Sequence, residues 1–236
     1  MRTRAYKRQA GSRWRSVIMA FSKDQLAWIG AAVMAYNDAE TNLQDAFTNC
    51  ADFPFNSNDL VLRIGIGNLP TLVLDAVKRI VDDKKIHALA QRTLIDDGGF
   101  TQLKTYRDGI VHARLWDMHS AIAVTPNKGK PDSVLLSSKA LEGVYHRLQL
   151  IVDELLEITT IISCSRSLKQ TDVQTEARLA QHKEQLAQSI QAATVRLIQL
   201  QKRRRSLPSL PAFPPGSLQV PEEDQGLEGR LAPTLL

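Results

Sequence analysis

The stretch TYRDGIVHAR, residues 105–114, lies near the middle of the chain and decides how the fold of the whole chain is interpreted. Apolar residues recur around it at helical spacing, which predicts a helix from Phe100 to about Leu115. On an ideal helix Asp108 and His112 share one face, because they are four residues apart. Arg107 lies about 140° around the helix from His112.

Amphipathic patterns on both sides of this helix predict an all-α bundle. The first helix begins with a capping box, in which Ser22 and Gln25 satisfy each other's backbone N–H groups. Asp82-Asp83 marks either a kink or a break between two helical segments. The predicted helices cover residues 22–50, about 68–81, 85–95, 100–115 and a long segment that begins at Ser137 or Ser138.

The spacing of apolar residues changes after the central helix. Residues 121–124 and 133–136 are short and strand-like, and the loop between them is rich in proline, glycine and asparagine. This pattern predicts a small β-hairpin inserted into the bundle. Such a hairpin is stable only when it packs against helices.

A last long helix is predicted from Thr171 to Arg205, with a narrow apolar seam at heptad-like spacing. The seam consists of Leu179, Leu186, Ile190, Ala193 and Leu197. It suits a coiled-coil arm or a partner surface better than a core. We therefore predict a flexible basic arm (1–21), a helical bundle (22–163), a long amphipathic helix (164–205) and a disordered proline-rich tail (206–236).

Charge and cysteine content restrict the class of protein. Net charge is +5, with six basic and no acidic residues before Lys23 and a second basic run from Lys202 to Arg205. Such runs indicate either an anionic partner or simply solvated helix ends. The two cysteines, Cys50 and Cys164, are too few for a disulfide framework and indicate reduced thiols in the cytoplasm.

Several other classes of site lack their sequence signals. No apolar run approaches the roughly 18 residues of a membrane helix, so no membrane partner is expected. The histidines outside the central stretch lack metal-ligand spacing. Gly65-Ile66-Gly67 lacks the third glycine of a dinucleotide-binding fingerprint. We therefore expect neither a metal nor a cofactor.

Residues 105–114 combine an arginine that can bind phosphate with a histidine that can transfer a proton. Arginine matches phosphate oxygens with its planar fork, and histidine exchanges protons near neutral pH. Arg107, Asp108 and His112 together suit cleavage of RNA by its ribose 2′-hydroxyl, a reaction that needs no metal. Lys104 and Arg114 are predicted to bind nucleic acid beside them. The alternative is a solvated Asp108–His112 pair without catalytic function.

Residues 107–112 resemble the Arg-X4–6-His motif of the HEPN superfamily (higher eukaryote and prokaryote nucleotide-binding domains), in which a polar residue often follows the arginine, as Asp108 does here. The resemblance covers about residues 22–163 and implies a HEPN-like helical bundle. It also implies a metal-independent endoribonuclease, often a toxin or anti-phage effector. In such proteins two motifs meet across a homodimer. His112 would then transfer the proton, Arg107 would bind the phosphate and Asp108 would orient the imidazole.

Two functions follow as expectations. The first is a HEPN-like endoribonuclease that acts on RNA as a homodimer, with an antitoxin protein as a further partner. The second is a non-catalytic helical module, whose long C-terminal helix and basic ends bind a partner protein or nucleic acid. RNA cleavage in EDTA separates the two.

Overall fold

The computed structural model describes residues 22–50, 64–96, 98–112, 115–118, 121–124, 134–171 and 178–211. This part of the chain is mostly helical, so the predicted all-α architecture is confirmed at that level. Its helices are α1 (Lys23–Cys50), α2 (Leu69–Ile80), α3 (Lys84–Leu94), α4 (Phe100–His112), α5 (Ser138–Thr171) and α6 (Arg178–Ser206). Its strands are β1 (Leu115–Met118), β2 (Ala121–Val124) and β3 (Val134–Ser137).

Local signals fix the ends of the first helices. The Ser22 backbone N–H donates to Gln25 Oε1 at 2.9 Å, and the Gln25 N–H donates to Ser22 Oγ at 3.1 Å. The predicted capping box is therefore confirmed. Asp83 caps α3, because its carboxylate accepts the Lys85 N–H at 2.7 Å. The chain thus breaks between α2 and α3, which decides between the two alternatives at this point.

The three longest helices form the centre of the bundle. Trp28 packs on Tyr145 near the N-termini of α1 and α5, with ring centroids 5.6 Å apart. Near their C-termini, Arg166 Nη1 donates to the Asn49 carbonyl at 2.7 Å. These two contacts show that α1 and α5 are parallel. A buried core of aliphatic side chains with Tyr36, Tyr106 and Phe100 fills the space between them and the shorter helices.

The end of the fourth helix differs from the prediction. α4 ends at His112, and Leu115 opens β1 instead of closing the helix. β1, β2 and β3 form a three-stranded antiparallel sheet, in which Leu115 pairs with Val124 and Val124 with Val134. Gly109 weakens the helix just before this point, since glycine is a poor helix former. Residues 115–118 then pair with β2, the first strand of the predicted hairpin.

The C-terminal helix also differs from the prediction, because half of it belongs to the core. α5 runs through the predicted boundary at residue 163 and continues to Thr171. α6 returns antiparallel to it and buries Ala193 and Leu197 completely. The first half of α6 is different, because none of residues 180–192 is buried. Within the described residues, the seam predicted for a coiled coil packs on the core from Ile190 onward.

A buried polar network joins α6 to α3 and α5. Arg204 donates to both oxygens of Glu154, with Nε 2.7 Å from Oε1 and Nη2 3.0 Å from Oε2. Glu154 is fully buried and Arg204 is 6% exposed. Thr93 donates to Glu154 Oε2 at 2.7 Å, and Gln201 donates to the Leu89 carbonyl at 2.8 Å. A buried charge pair is tolerated only when hydrogen bonds complete it, as they do here.

Several predictions fall outside the described residues. They concern the basic arm (1–21), the loop 125–132 and the part of the predicted tail beyond residue 211. The first residues of that tail differ from the prediction of disorder, because Ser206 ends α6 and the Leu207 and Pro208 carbonyls accept hydrogen bonds from Arg147. No helix in the described ranges carries an apolar segment long enough to cross a membrane.

Candidate functional site

α4 places three charged side chains together at the surface. Lys104 Nζ lies 2.6 Å from Asp108 Oδ2, and Arg107 Nη1 lies 2.9 Å from Asp108 Oδ1. Each carboxylate oxygen therefore contacts a different cation. Two cations and one carboxylate leave one net positive charge. The three side chains are 24–33% exposed, so the pairs contribute about 1 kcal/mol or less to stability.

Tyr36 of α1 supports the guanidinium of Arg107. Arg107 Cζ lies 4.9 Å from the centroid of the tyrosine ring. Tyr36 in turn stacks on Phe100, at the start of α4, with ring centroids 5.5 Å apart. A cation over a tyrosine face is attracted by the negative face of the ring. Arg107 is therefore positioned by a buried aromatic pair as well as by Asp108.

The guanidinium of Arg107 retains unused donors. Its Nε is buried and has no hydrogen-bond partner within the described part of the chain. Nη1 is the atom that contacts Asp108. Nη2 contacts no acceptor among the described residues. Because Nε is buried, Nη2 is the nitrogen through which Arg107 can donate to a phosphate without first breaking its structural contacts.

Tyr36 acts as a neutral platform. Burial raises the pKa of its hydroxyl far above the usual range, the carboxylates of Glu40 and Asp108 raise it further, and Arg107 opposes them. The hydroxyl oxygen is buried and has no hydrogen-bond partner in the described ranges. The ring therefore contributes its face and its volume, and the hydroxyl contributes no bond that the structure shows.

The structure does not describe the side chains of two of the predicted site residues. His112 is the last residue of α4, one turn after Asp108 on the helix backbone. Its side chain and the whole of Arg114 lie outside the described residues. The proposed contact between Asp108 and the imidazole and the binding role of Arg114 stay predictions. Lys104, Arg107 and Asp108 are the predicted residues that the structure does bring together.

Sequence reasoning missed Tyr36 as part of this cluster. Its spacing placed it only in the apolar stripe of α1, and it is indeed 1% exposed. The contact with Arg107 joins two helices that are not neighbours in sequence. A tyrosine at core spacing carries no signal for such a contact. An arginine beside a carboxylate on the same helix does not point to it either.

The second basic run is divided by the fold. Arg204 turns inward to Glu154, whereas Lys202, Arg203 and Arg205 stay exposed. Arg205 and Arg92 line an open cavity of about 550 Å³ together with Ile95, Asp96 and Arg204. Arg204 is already engaged by Glu154, Gly98 and the Arg92 carbonyl. Of the four basic residues in this run, Arg204 therefore stabilises the fold and the other three are exposed to solvent.

The remaining histidines and cysteines form no second site in the described part. His87 Nε2 lies 2.6 Å from the Val81 carbonyl, and His146 lies 3.6 Å from Glu142 on the same helix. No group of three or more His, Cys, Asp or Glu in the described ranges has the geometry to hold a metal ion. Cys50 and Cys164 are free thiols, and burial raises the pKa of Cys50 to about 12.

Comparison of this chain with protein-family models, with curated proteins and with solved structures finds no match in any of the three. The interpretation of the site therefore rests on its geometry and on the resemblance of residues 107–112. What the geometry offers is one fixed arginine, one lysine and one carboxylate. They lie on a helix that ends in a histidine.

Proposed function

We propose that the chain is a metal-independent endoribonuclease of the HEPN type, acting on RNA as a homodimer. The observation that carries the proposal is the fixation of Arg107 between Tyr36 and Asp108 on the helix that ends at His112. It supports a site in which Arg107 is already positioned to bind a phosphate. His112, which would transfer the proton, lies one to two helical turns further along. A toxin or anti-phage effector restrained by an antitoxin is the biological role that this activity suits.

Each residue has a chemical role in this proposal. Arg107 binds the scissile phosphate through its unused donors and stabilises the charge that develops on the phosphorus oxygens. His112 takes the proton from the ribose 2′-hydroxyl, whose oxygen attacks the phosphorus. The bond from phosphorus to the 5′-oxygen breaks, and the leaving 5′-oxygen takes a proton from an imidazolium or from water. The product is a 2′,3′-cyclic phosphate. Asp108 orients Arg107 and the imidazole, and Lys104 and Arg114 contact neighbouring phosphates.

The proposed homodimer answers a geometric difficulty. On ideal helical geometry positions 107 and 112 lie about 140° apart, so a single helix is not expected to direct both side chains at one phosphate. Two copies of α4 meeting across a two-fold axis bring an arginine of one subunit toward a histidine of the other. The half-buried cluster around Asp108 leaves its surface available for this contact.

The experiment that tests the proposal compares RNA with a matched substrate that lacks the nucleophile. Purified protein is incubated in EDTA with single-stranded RNA and with the same sequence carrying 2′-deoxyriboses. We expect cleavage of the RNA alone, with 2′,3′-cyclic phosphate ends identified by mass spectrometry. Cleavage of the deoxy substrate, or RNA cleavage only after Mg²⁺ is added, would contradict the mechanism.

A second candidate function, partner binding, is favoured by the exposed half of α6. None of residues 180–192 is buried; Ile190 packs against the core while staying partly exposed, and Leu186 is half-buried on a polar stretch of helix. A partner helix could cover this face by coiled-coil packing. Leu186→Asp would then abolish partner capture without altering the bundle. Deleting α6 would be a poor test, because Ala193 and Leu197 belong to the core.

A further inference from the structure

The chain continues beyond α6 as a short extended segment, which we call the C-terminal strap (Leu207–Pro211). It has no regular secondary structure, yet it lies against the bundle. Arg147 Nη2 of α5 donates to the Leu207 carbonyl at 3.1 Å and to the Pro208 carbonyl at 2.7 Å. The Tyr106 hydroxyl of α4 donates to the Pro211 carbonyl. Side chains of two different helices therefore bind the backbone of the strap.

Arg147 is a charged side chain in a buried position. It is 7% exposed, and its described hydrogen-bond acceptors are all backbone carbonyls: those of Gly143, Leu207 and Pro208. Burial lowers the pKa of Arg147, Tyr106 raises it, and nearby Arg204 lowers it again. A buried guanidinium needs acceptors, because an unpaired buried charge is strongly destabilising. Two of the three acceptors come from the strap.

Gly143 provides the space for the single apolar anchor of the strap. A Cβ atom placed on Gly143 would lie 3.2 Å from Leu210 Cδ2, closer than nearly all real contacts of this kind. Leu210 is packed against the hydrophobic core. A glycine inside α5 costs about 1 kcal/mol relative to alanine, so its presence is explained by the leucine that fills the gap. The groove is thus matched to a branched aliphatic side chain.

The sequence of the strap suits these contacts. Ser206-Leu207-Pro208 is repeated as Ser209-Leu210-Pro211. Proline has no backbone N–H, so Pro208 and Pro211 add no donor that needs a partner. Prolines also restrict the free peptide to extended conformations, which lowers the entropy lost on binding. The carbonyls that remain are the groups that Arg147 and Tyr106 bind.

We propose that Tyr106, Gly143 and Arg147 form a recognition site for an extended Leu-Pro-x-Leu-Pro peptide, and that the strap is its intramolecular ligand. The same segment of another copy of this chain can occupy the site when the strap is released. The proposal does not depend on RNA cleavage. Tyr106 immediately precedes Arg107 in α4, so the groove and the candidate cluster use the same helix, with the two residues about 100° apart around it.

The test uses the full chain and a fluorescein-labelled peptide of residues 206–213, with binding measured by fluorescence anisotropy. Leu210→Asp removes the anchor and should release the strap, which is verified by the increased mobility of a spin label attached at the exposed position 209 through Ser209→Cys, in a chain whose two native cysteines are replaced by alanine. We expect this variant to bind the peptide about tenfold or more tightly than the natural chain, in which only the released fraction can bind. Leu210→Ser is a milder form of the same change.

The blocking variant is Gly143→Leu combined with Leu210→Asp. The new side chain fills the space of the anchor and improves helix propensity, and its Cβ would lie 3.6 Å from Arg147 Nη1, an ordinary van der Waals distance. We expect no peptide binding by this double variant, and none of a peptide carrying the Leu210→Asp change. Equal binding by the single and double variants would overturn the proposal. So would a released strap without peptide binding, or a spin label at position 209 that is no more mobile in Leu210→Asp than in the natural chain.

Discussion

The guanidinium of Arg107 lies over the ring of Tyr36, with Cζ 4.9 Å from the ring centroid, so α1 fixes the orientation of the main cation of α4. Tyr36 is 1% exposed and stacked on Phe100, which makes this platform part of the core. An arginine side chain supported in this way loses little conformational entropy when it binds a phosphate. The candidate site is therefore preorganised by the packing of two helices.

Arg107→Lys tests whether the planar fork is needed. Lysine keeps the positive charge but presents a single ammonium, which cannot bind Asp108 and a phosphate through separate nitrogens. We expect RNA cleavage to fall by about 10²–10³-fold, the cost of losing one transition-state donor. The measurement is single-turnover cleavage of labelled RNA. An unchanged rate in a folded variant would exclude Arg107 from phosphate binding.

Tyr36→Phe separates the ring from its hydroxyl. The hydroxyl is buried and has no partner within the described ranges, so its removal should remove a desolvation cost. We expect the free energy of unfolding to stay the same or to rise by about 1 kcal/mol, measured by urea denaturation. RNA cleavage should be unchanged, since the ring face remains under Arg107. A marked loss of stability would show that the hydroxyl has a partner, such as a bound water.

Glu154→Gln and Glu157→Gln form a matched pair on α5. Each glutamate binds an arginine of α6 through both of its oxygens. The first pair is inside the protein, since Glu154 is fully buried. The second pair is at the surface, since Arg196, the partner of Glu157, is 52% exposed. Breaking a buried pair leaves the other charge uncompensated, so we expect Glu154→Gln to cost about 3–5 kcal/mol in urea denaturation. Glu157→Gln should change stability little. Similar losses in both variants would contradict the burial difference.

Cys50 should react slowly and should make stability depend on alkaline pH. Burial raises its pKa to about 12, although Arg166 and Arg79 oppose the shift. The thiolate is the reactive form, so alkylation of the folded chain should be about a thousandfold slower than that of an ordinary thiol. Between pH 9 and 12 the unfolded chain loses this proton while the folded chain keeps it. Stability should therefore fall as pH rises, and Cys50→Ala should reduce that slope.

Sequence reasoning succeeded where the cause is local. Ser22 and Gln25 bind each other three residues apart, and the capping box was predictable from those two positions. Lys104 and Asp108 are one turn apart and pair as helical geometry requires. The end of α4 was predicted three residues late, because the pairing of β1 with β2 competes with helix continuation there.

The remaining features depend on distant parts of the chain. Glu154 and Arg204 are 50 residues apart, and a basic run at a helix end gives no sign that one of its members turns inward. The role of Tyr36 depends on how α1 and α4 cross. None of these contacts leaves a periodic or compositional signal in the sequence.

The most direct test of the ribonuclease proposal is the single-turnover rate of RNA cleavage in EDTA by His112→Ala, compared with His146→Ala as the matched control. His146 is half-exposed on α5 and lies 3.6 Å from Glu142, away from the candidate cluster. We expect His112→Ala to lose about 10²–10⁴-fold in rate, as removal of a general base does, while its circular dichroism and dimer mass are unchanged. His146→Ala should cleave at the natural rate. Equal rates for the two variants would contradict the assignment of His112 and, with it, the proposed function.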